Sequence, residues 1–476
     1  MKETRERILL PVDSYWVIFV ALFILTVTLG SILAYSYKTA LLGIVFLFFS
    51  TAVFIRPIIG LYFILFFLPL MNVGFAYENP NRTNDEFISI AAVPIVVTFV
   101  AHLIDRVLYR KNKIYTIRHG SYRYAQFLLF FLILGFSLIS LLWSIDCIHG
   151  LNNIFVLILG FILIILFTGD ILTKDHIYYI IKALPFLGLF LSFLLLLSDF
   201  YYDFASTVKL SDHFDFVLIL HANAVEGKVR PGGFAPVDLA SNILTIFVFS
   251  NIALAYIYGW RGKIFLLLHS FLLIICILKT ASKAGALSLA FGLFLLPIII
   301  PELRNRVIRL TTLGIFAIGL VLIFFGKVIL MRFGVMISGK AGFLTDRLYW
   351  WSQGFEHLYK TGGIGLGAGG FTRIIDPVPA AHSFYFSVLF DLGILGFVLF
   401  MTLLALIIRK IIVSLSQIPQ DEMRFLLYCL SIALITLFLH GFVDFDYSYL
   451  PFWALVGSML GIIRIYKTKK KASIPV

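Results

Sequence analysis

Residues 153–172 read NIFVLILGFILIILFTGDIL, and this stretch decides the class of fold. It is about as long as a helix that crosses ~30 Å of hydrocarbon, and Asp170 is its only charged residue. The whole chain shares this character, because 61% of its 476 residues are hydrophobic, 13% are charged and 50 are phenylalanine. Soluble domains are roughly half apolar and a quarter charged. The composition therefore predicts an all-α polytopic membrane protein.

Similar apolar runs recur along the chain, and the alternating pattern typical of a membrane β-barrel does not appear. We predict about 12 to 14 transmembrane helices in a single membrane domain that covers residues 1–476. The first run follows MKETRERILL without a small-residue cleavage site, so it is predicted to be a span and not a removed signal. The predicted spans lie near 15–35, 39–55, 58–75, 88–104, 125–144, 153–172, 179–198, 238–259, 264–279, 284–300, 310–330, 382–408, 425–441 and 449–465.

Basic residues between the runs predict the orientation, because Lys- and Arg-rich connections stay on the cytoplasmic side of a membrane. An alternating path with both termini in the cytoplasm puts every strongly basic segment on that side. The net charge of +13 is therefore interpreted as a topology signal and a contact with membrane lipids, not as a nucleic-acid-binding surface. These basic segments are 105–124, 260–263, 301–309, 409–424 and the C-terminal tail.

The same path places two long loops on the outer face, over residues 199–237 and 331–381. Loops of this length are uncommon in a compact bundle unless they carry function, so the predicted chemistry lies there. Three cysteines lie far apart and indicate neither a disulfide framework nor a zinc site. We expect no metal and no cofactor.

The first loop ends in VRPGGFAPVDLASN, residues 229–242. Its prolines and glycines predict an irregular backbone until Asp238 opens the next helix. Arg230 could grip phosphate oxygens with its planar, five-donor guanidinium. The alternative is an interfacial arginine that reaches lipid headgroups.

Two more cations face the same compartment on this path. Lys283 lies in the turn TASKAGAL, and Arg347 lies in DRLYWW within the second loop. Together with Arg230 they suit an anionic group such as a pyrophosphate. The alternatives are a turn lysine that faces water, and an ion pair of Arg347 with Asp346 or Glu356.

His382 stands where the second loop enters a span, after the glycine-rich run GGIGLGAGG at 362–370. An imidazole titrates near neutral pH, so a histidine here could accept the proton of an attacking sugar hydroxyl. The alternative is a residue that only helps to start the helix. The glycine run is not interpreted as a nucleotide-phosphate loop, because it follows no strand and opens no βαβ helix.

Four segments in this order, RPGGFAPVDLASN, TASKAGAL, DRLYWWSQGFEHLYKTGGIGLGAGGF and AHSFYFSVLFDLGILG, resemble the superfamily of O-antigen ligases and polymerases. The resemblance covers residues 229–400 in motif detail. The third segment matches the family pattern through Arg347, Trp351, Gly365, Gly367 and Phe371, and the fourth through His382 and Ser383. The second departs from it, because Lys283 replaces the usual arginine.

The resemblance implies a GT-C-type glycosyltransferase that needs neither metal nor nucleotide sugar. Its donor would be a glycan on undecaprenyl pyrophosphate, and its acceptor a lipid-anchored sugar such as lipid A core. Arg230, Arg347 and Lys283 would bind the pyrophosphate, with Arg230 and His382 as the catalytic residues of an inverting displacement. Aromatic side chains could contact the acceptor sugar, namely Trp350, Trp351 and Phe371, with Tyr349 also available.

Two alternatives stay open. A polymerase would use a second undecaprenyl-linked repeat as acceptor with the same cations and base. A polysaccharide flippase or transporter would also have many spans and a cationic cavity, but coupling residues in mid-span would be expected. His440, Asp444 and Asp446 gather instead at the outer end of a span, which favours a site at the interface.

Overall fold

A computed structural model describes most of the chain. The described residues are 37–71, 73–77, 86–109, 121–169, 171–200, 204–211, 214–225, 228–300, 342–374, 382–419, 421–442 and 447–472.

Helices make up most of these residues, which confirms the all-α membrane class. Polar side chains begin several of them: Asp146, Ser282 and Asp421 each accept a hydrogen bond from an amide in the first turn. The helices are α1 (Tyr37–Ile55), α2 (Pro57–Phe67), α3 (Ala92–Tyr109), α4 (Ser121–Ser140), α5 (Cys147–Thr168), α6 (Lys174–Phe200), α7 (Val237–Ile257), α8 (Trp260–Lys279), α9 (Lys283–Ile299), α10 (Gly342–Lys360), α11 (Gly370–Ile374), α12 (Phe384–Gln417), α13 (Glu422–His440) and α14 (Leu450–Ala472).

Six of these helices, α5 to α8, α12 and α13, are long and apolar enough to cross a membrane. Shorter apolar helices lie within α1, α2, α4, α9 and α14. The predicted spans near 15–35 and 310–330 lie outside the described residues, and each of the other predicted spans overlaps a helix. The α12 helix extends well beyond its predicted end near 408.

A small antiparallel sheet joins two connections between the helices. Its strands are β1 (Val73–Tyr77), β2 (Glu86–Ser89), β3 (Phe204–Ser211), β4 (Phe214–Val225) and β5 (Lys228–Gly233). Strand β4 pairs with β1, β3 and β5, with Asn223 opposite Arg230. The prediction of an irregular backbone around Arg230 is therefore wrong, because residues 228–233 form strand β5, which pairs with β4. Helix α7 begins at Val237, one residue before the predicted Asp238.

Helices α7 and α9 run side by side in the same direction. A Cβ on Gly285, near the start of α9, would collide with the side chain of Ser241, near the start of α7. Further along both helices, a Cβ on Gly292 in α9 would lie 2.5 Å from the ring of Phe249 in α7. The two helices therefore begin at the same end of the bundle.

Helix α13 runs the other way and ends where α7 begins. The rings of Tyr256, at the end of α7, and Phe425, at the start of α13, stack with centroids 4.3 Å apart. Beyond the last turn of α13, the carbonyl of Gly441 accepts a hydrogen bond of 2.8 Å from the amide of Phe384, the first residue of α12. The starts of α7, α9 and α12 and the end of α13 thus share one end of the bundle, which we call the site end.

The opposite end of the bundle includes described residues from two of the basic segments, 105–124 and 409–424, or next to them. Lys410, late in α12, donates to the side chain of Gln126, early in α4, over 3.4 Å. Tyr178, early in α6, donates to Glu422 at the start of α13 over 2.6 Å. These contacts bring together the connections that the positive-inside rule assigns to the cytoplasm, at the end away from His382.

Candidate active site

His382 precedes helix α12 in a strained conformation. Its φ is +48°, in the left-handed region that residues other than glycine enter at a cost of about 1–3 kcal/mol. The N-cap of α12 is Ser383, whose hydroxyl accepts from the amide of Phe386 over 3.4 Å. The capping role considered for His382 therefore belongs to Ser383. Strain of this kind concentrates at functional sites, where the surrounding structure holds it.

The ring of Trp350 holds one face of the histidine. The two rings stack with centroids 5.8 Å apart and planes 25° apart. Arg347 lies three residues before Trp350 on α10, so the two side chains are neighbours on the same helix face. The Arg347 side chain is only 3% exposed. Trp350 thus links two candidate residues that the sequence places far apart, because it stacks on His382 and lies one helical turn from Arg347.

An ion pair occupies another face of α10. Lys360 donates to Glu356 over 2.6 Å, and both side chains are exposed. This hydrogen bond and the lysine charge hold the pKa of Glu356 below its ordinary value. Glu356, one of the two carboxylates considered as a partner for Arg347, is therefore paired with Lys360.

Helix α12 is broken in its first third, and residues 362–371, which we call the glycine segment, dock into the break. Gly393 has φ +68° inside the helix. In a continuous helix the amide of Ile394 would bond to the carbonyl of Phe390. Here Ile394 donates to the carbonyl of Gly363 over 2.9 Å, and Phe390 accepts from the amide of Leu366 over 2.9 Å. The segment therefore satisfies backbone groups that hydrocarbon could not.

Asp391, next to the break, holds the far part of the glycine segment. Its carboxylate accepts from the amide of Phe371 over 2.9 Å and from that of Gly369 over 3.1 Å. The hydroxyl of Tyr447 donates to the same carboxylate over 3.2 Å. The amides of Leu366, Gly369 and Phe371 thus bond to α12, which agrees with rejecting a nucleotide-phosphate loop.

The start of α5 and the end of α4 close the other side of the glycine segment. Ser144 donates to the carbonyl of Ala368 over 2.7 Å, and Ser140 accepts from the amide of Ala368 over 3.0 Å. A Cβ on Gly369 would lie 2.5 Å from the amide nitrogen of Gly150. The segment therefore lies between α12 on one side and the corner from α4 to α5 on the other.

Gly393 offers a test of this packing. A Cβ there would collide with the carbonyl oxygens of Gly363 and Ile364. We expect Gly393→Ala to lose about 1–2 kcal/mol from the left-handed φ and about 1–3 kcal/mol from crowding, with a lower thermal unfolding midpoint in detergent. Gly135→Ala is the matched control, because a Cβ there meets nothing within 4 Å. Equal midpoints for both variants would contradict the docked segment.

Aromatic side chains form a cluster above the break. Phe371 and Phe390 lie in its core with ring centroids 4.6 Å apart, and Trp350 and Trp351 pack against it half-buried. Phe371 is 1% exposed. A fully buried ring offers no face to a sugar, so this geometry favours Trp350 and Trp351, and not Phe371, for the predicted acceptor contact.

The other two candidate cations, Arg230 and Lys283, lie at the site end of the bundle, because each precedes or begins a helix that starts there. Lys283 is the first residue of α9, is exposed, and follows the N-cap Ser282. Arg230 lies on β5, which contacts α6 and α7 and leads into the start of α7. Its partner strand β4 carries Asn223 opposite it. An exposed Lys283 agrees equally with the alternative of a lysine that faces water.

Asp391, Tyr447, Ser140 and Ser144 escaped the sequence analysis. The available signal was Asp391 itself, a lone acid inside an apolar run. Asp444 and Asp446 lie outside the described residues, and His440 is buried at the end of α13. Among the described residues no group of three or more histidine, cysteine or carboxylate side chains could hold a metal ion.

Part of the chain is similar to a known protein family. A model of the O-antigen ligase family matches residues 268–401. A search of curated proteins returns no match. One solved chain, described in work on polymerization and crosslinking by a peptidoglycan synthase complex, is 18% identical over 74% of this chain and 99% of its own length. Its TM-score is 0.41.

The matched segment contains Lys283, Arg347, the glycine segment and His382. It indicates a membrane glycosyltransferase of the ligase or polymerase type. The resemblance to the O-antigen ligase superfamily is therefore confirmed over residues 268–401, and the chain is a polytopic membrane protein in which this segment matches the O-antigen ligase family.

Proposed function

We propose that this protein transfers an O-antigen glycan from undecaprenyl pyrophosphate to a lipid-anchored sugar, with lipid A core as the acceptor, at the periplasmic face of the inner membrane. The observation that carries the proposal is the stack of Trp350 on a strained His382, one helical turn from buried Arg347, within an O-antigen ligase domain. It combines a base, a cation and an aromatic surface at one end of a membrane bundle.

The cations act on the donor. As the bond between the anomeric carbon and the pyrophosphate oxygen breaks, negative charge grows on the pyrophosphate. A positioned cation that meets this charge in a low-dielectric site stabilises the transition state more than the ground state. Arg347 suits this role because it is buried and always charged. Arg230 and Lys283 supply further positive charge, Lys283 as a point charge without a bidentate grip.

His382 acts on the acceptor. Its imidazole takes the proton of the acceptor hydroxyl while that oxygen attacks the anomeric carbon from the side opposite the pyrophosphate, which inverts the configuration. The Trp350 indole fixes the imidazole plane. Pyrophosphate leaves readily, so one base and the cations are sufficient for the displacement.

The test is a transfer assay with purified protein in detergent and an undecaprenyl-pyrophosphate oligosaccharide as donor. Glycan on lipid A core supports the ligase. Longer undecaprenyl-linked chains formed without core would instead mean a polymerase, which uses the same cations and base. Absence of both products would favour the flippase alternative.

Chelation gives a separate prediction. We expect the transfer rate to stay within about twofold after EDTA treatment, because the cations already offset the pyrophosphate charge that a metal would otherwise neutralise. Initial rates before and after EDTA, and after added Mg²⁺, measure this. A rate that collapses in EDTA and returns with Mg²⁺ would contradict the proposed metal-free mechanism.

A further inference from the structure

Asp391 is an ionisable side chain buried in a membrane span. It lies in α12, seven residues after the helix begins at Phe384, and its side chain is 3% exposed. Its depth from the helix start is about 10 Å at ~1.5 Å per residue. Ionisable residues at such positions cost free energy, and those that occur usually have hydrogen-bonding or charged partners and a function.

The carboxylate of Asp391 accepts three hydrogen bonds from the described part of the chain. Oδ1 accepts from the Phe371 amide, and Oδ2 accepts from the Gly369 amide and the Tyr447 hydroxyl. A carboxylate only accepts hydrogen bonds and has two oxygens, so it matches this set of donors. Two of the three donors belong to the glycine segment, which lies 20 and 22 residues earlier in the chain.

A chain of packed side chains leads from these amides to the candidate base. The ring of Phe371 packs on Phe390, 4.6 Å between centroids, and Trp350 rests against this cluster. Trp350 in turn stacks on His382. Any shift of the Phe371 backbone therefore moves the surface on which Trp350 rests, and a misplacement of about 1 Å in an active site can cost 100-fold in rate.

We infer that Asp391 is a positioning residue for the transfer reaction, which holds the glycine segment in the break of α12 and so fixes Trp350 against His382. The effect on transfer rests on the proposed function. The hold on the segment does not, and it can be measured separately.

The experiment compares the full-length wild type with three variants. Asp391→Asn keeps the size of the side chain but turns an NH₂ group toward one of the donors. Asp391→Glu keeps both acceptor oxygens. Tyr447→Phe removes one donor and leaves both amides of the glycine segment bonded. Each protein is studied by hydrogen exchange of the peptides covering 362–374 and by kcat and KM for transfer, with the thermal midpoint recorded.

For Asp391→Asn we expect faster exchange confined to 362–374 and a kcat lower by about 10- to 100-fold, with the donor KM changed less than about threefold. Asp391→Glu should recover part of the kcat, and Tyr447→Phe should stay within about fivefold of wild type. A merely structural role would raise exchange across the whole bundle and lower the midpoint.

Two results would overturn the inference. One is unchanged exchange of 362–374 in Asp391→Asn. The other is faster exchange with unaltered kcat, which would make the segment irrelevant to catalysis. If wild type transfers no glycan at all, the proposed function fails, and the exchange data alone decide whether Asp391 holds the segment.

Discussion

Replacing His382 with alanine is expected to lower kcat for transfer by about 10²- to 10⁴-fold, the range that a positioned general base contributes. The acceptor hydroxyl then attacks while still protonated, because the imidazole proposed to take its proton is missing. Binding of the donor should change little, since the imidazole acts on the acceptor. The measurement is the steady-state rate with saturating donor and acceptor, together with the donor KM.

His176 provides the matched control. It lies at the start of α6, at the opposite end of the bundle, where its ring contacts the carbonyl of Ile171 over 2.9 Å. His176→Ala should keep the wild-type rate within about threefold, as surface changes away from a site usually do. Full activity in His382→Ala would remove the histidine from the mechanism and leave the strained backbone unexplained.

The second large effect is expected at Arg347. Arg347→Ala should lower kcat by about 10²- to 10³-fold, because a preorganised charge near the leaving group is lost from a site that excludes water. Arg347→Lys should recover only part of this rate, since an ammonium cannot bind two phosphate oxygens in the planar fork of a guanidinium. Initial rates with both variants, at matched thermal midpoints, measure the difference.

A control substitution at an exposed arginine, at the opposite end of the bundle, separates this effect from a general loss of charge. Arg409 lies late in α12 and is exposed. Arg409→Ala should retain the wild-type rate. If Arg347→Lys were as active as wild type, a bidentate contact with pyrophosphate would be excluded, and a packing role for Arg347 would explain the alanine result.

Hydropathy was sufficient to predict the membrane class and most helices, because a span must be apolar over its whole length wherever it lies in the bundle. The motif segments likewise led to Arg347 and His382. The stack of Trp350 on His382 could not be predicted, since it depends on how α10 returns to the start of α12. The helix α10 itself was counted as loop because its mean hydropathy is low.

Asp391 shows why the rest of the candidate site could not be predicted from the sequence. Its partners are backbone amides in a different element, so no spacing of residue types reveals the contact. The same holds for β1 and β4, which pair across more than a hundred residues of intervening chain. Each strand pair is visible only once both partners are folded side by side.

The break at Gly393 also defines what can be exchanged between related proteins. The carbonyl of Gly363 accepts from Ile394 and the amide of Leu366 donates to Phe390 across the gap in α12, so the glycine segment and the first turns of α12 form one inseparable unit. A chimaera that imports a foreign segment without its own α12 start would leave unpaired amides in hydrocarbon. Redesign of acceptor choice is therefore better confined to α10, whose exposed face can vary while residues 362–394 are kept as one piece.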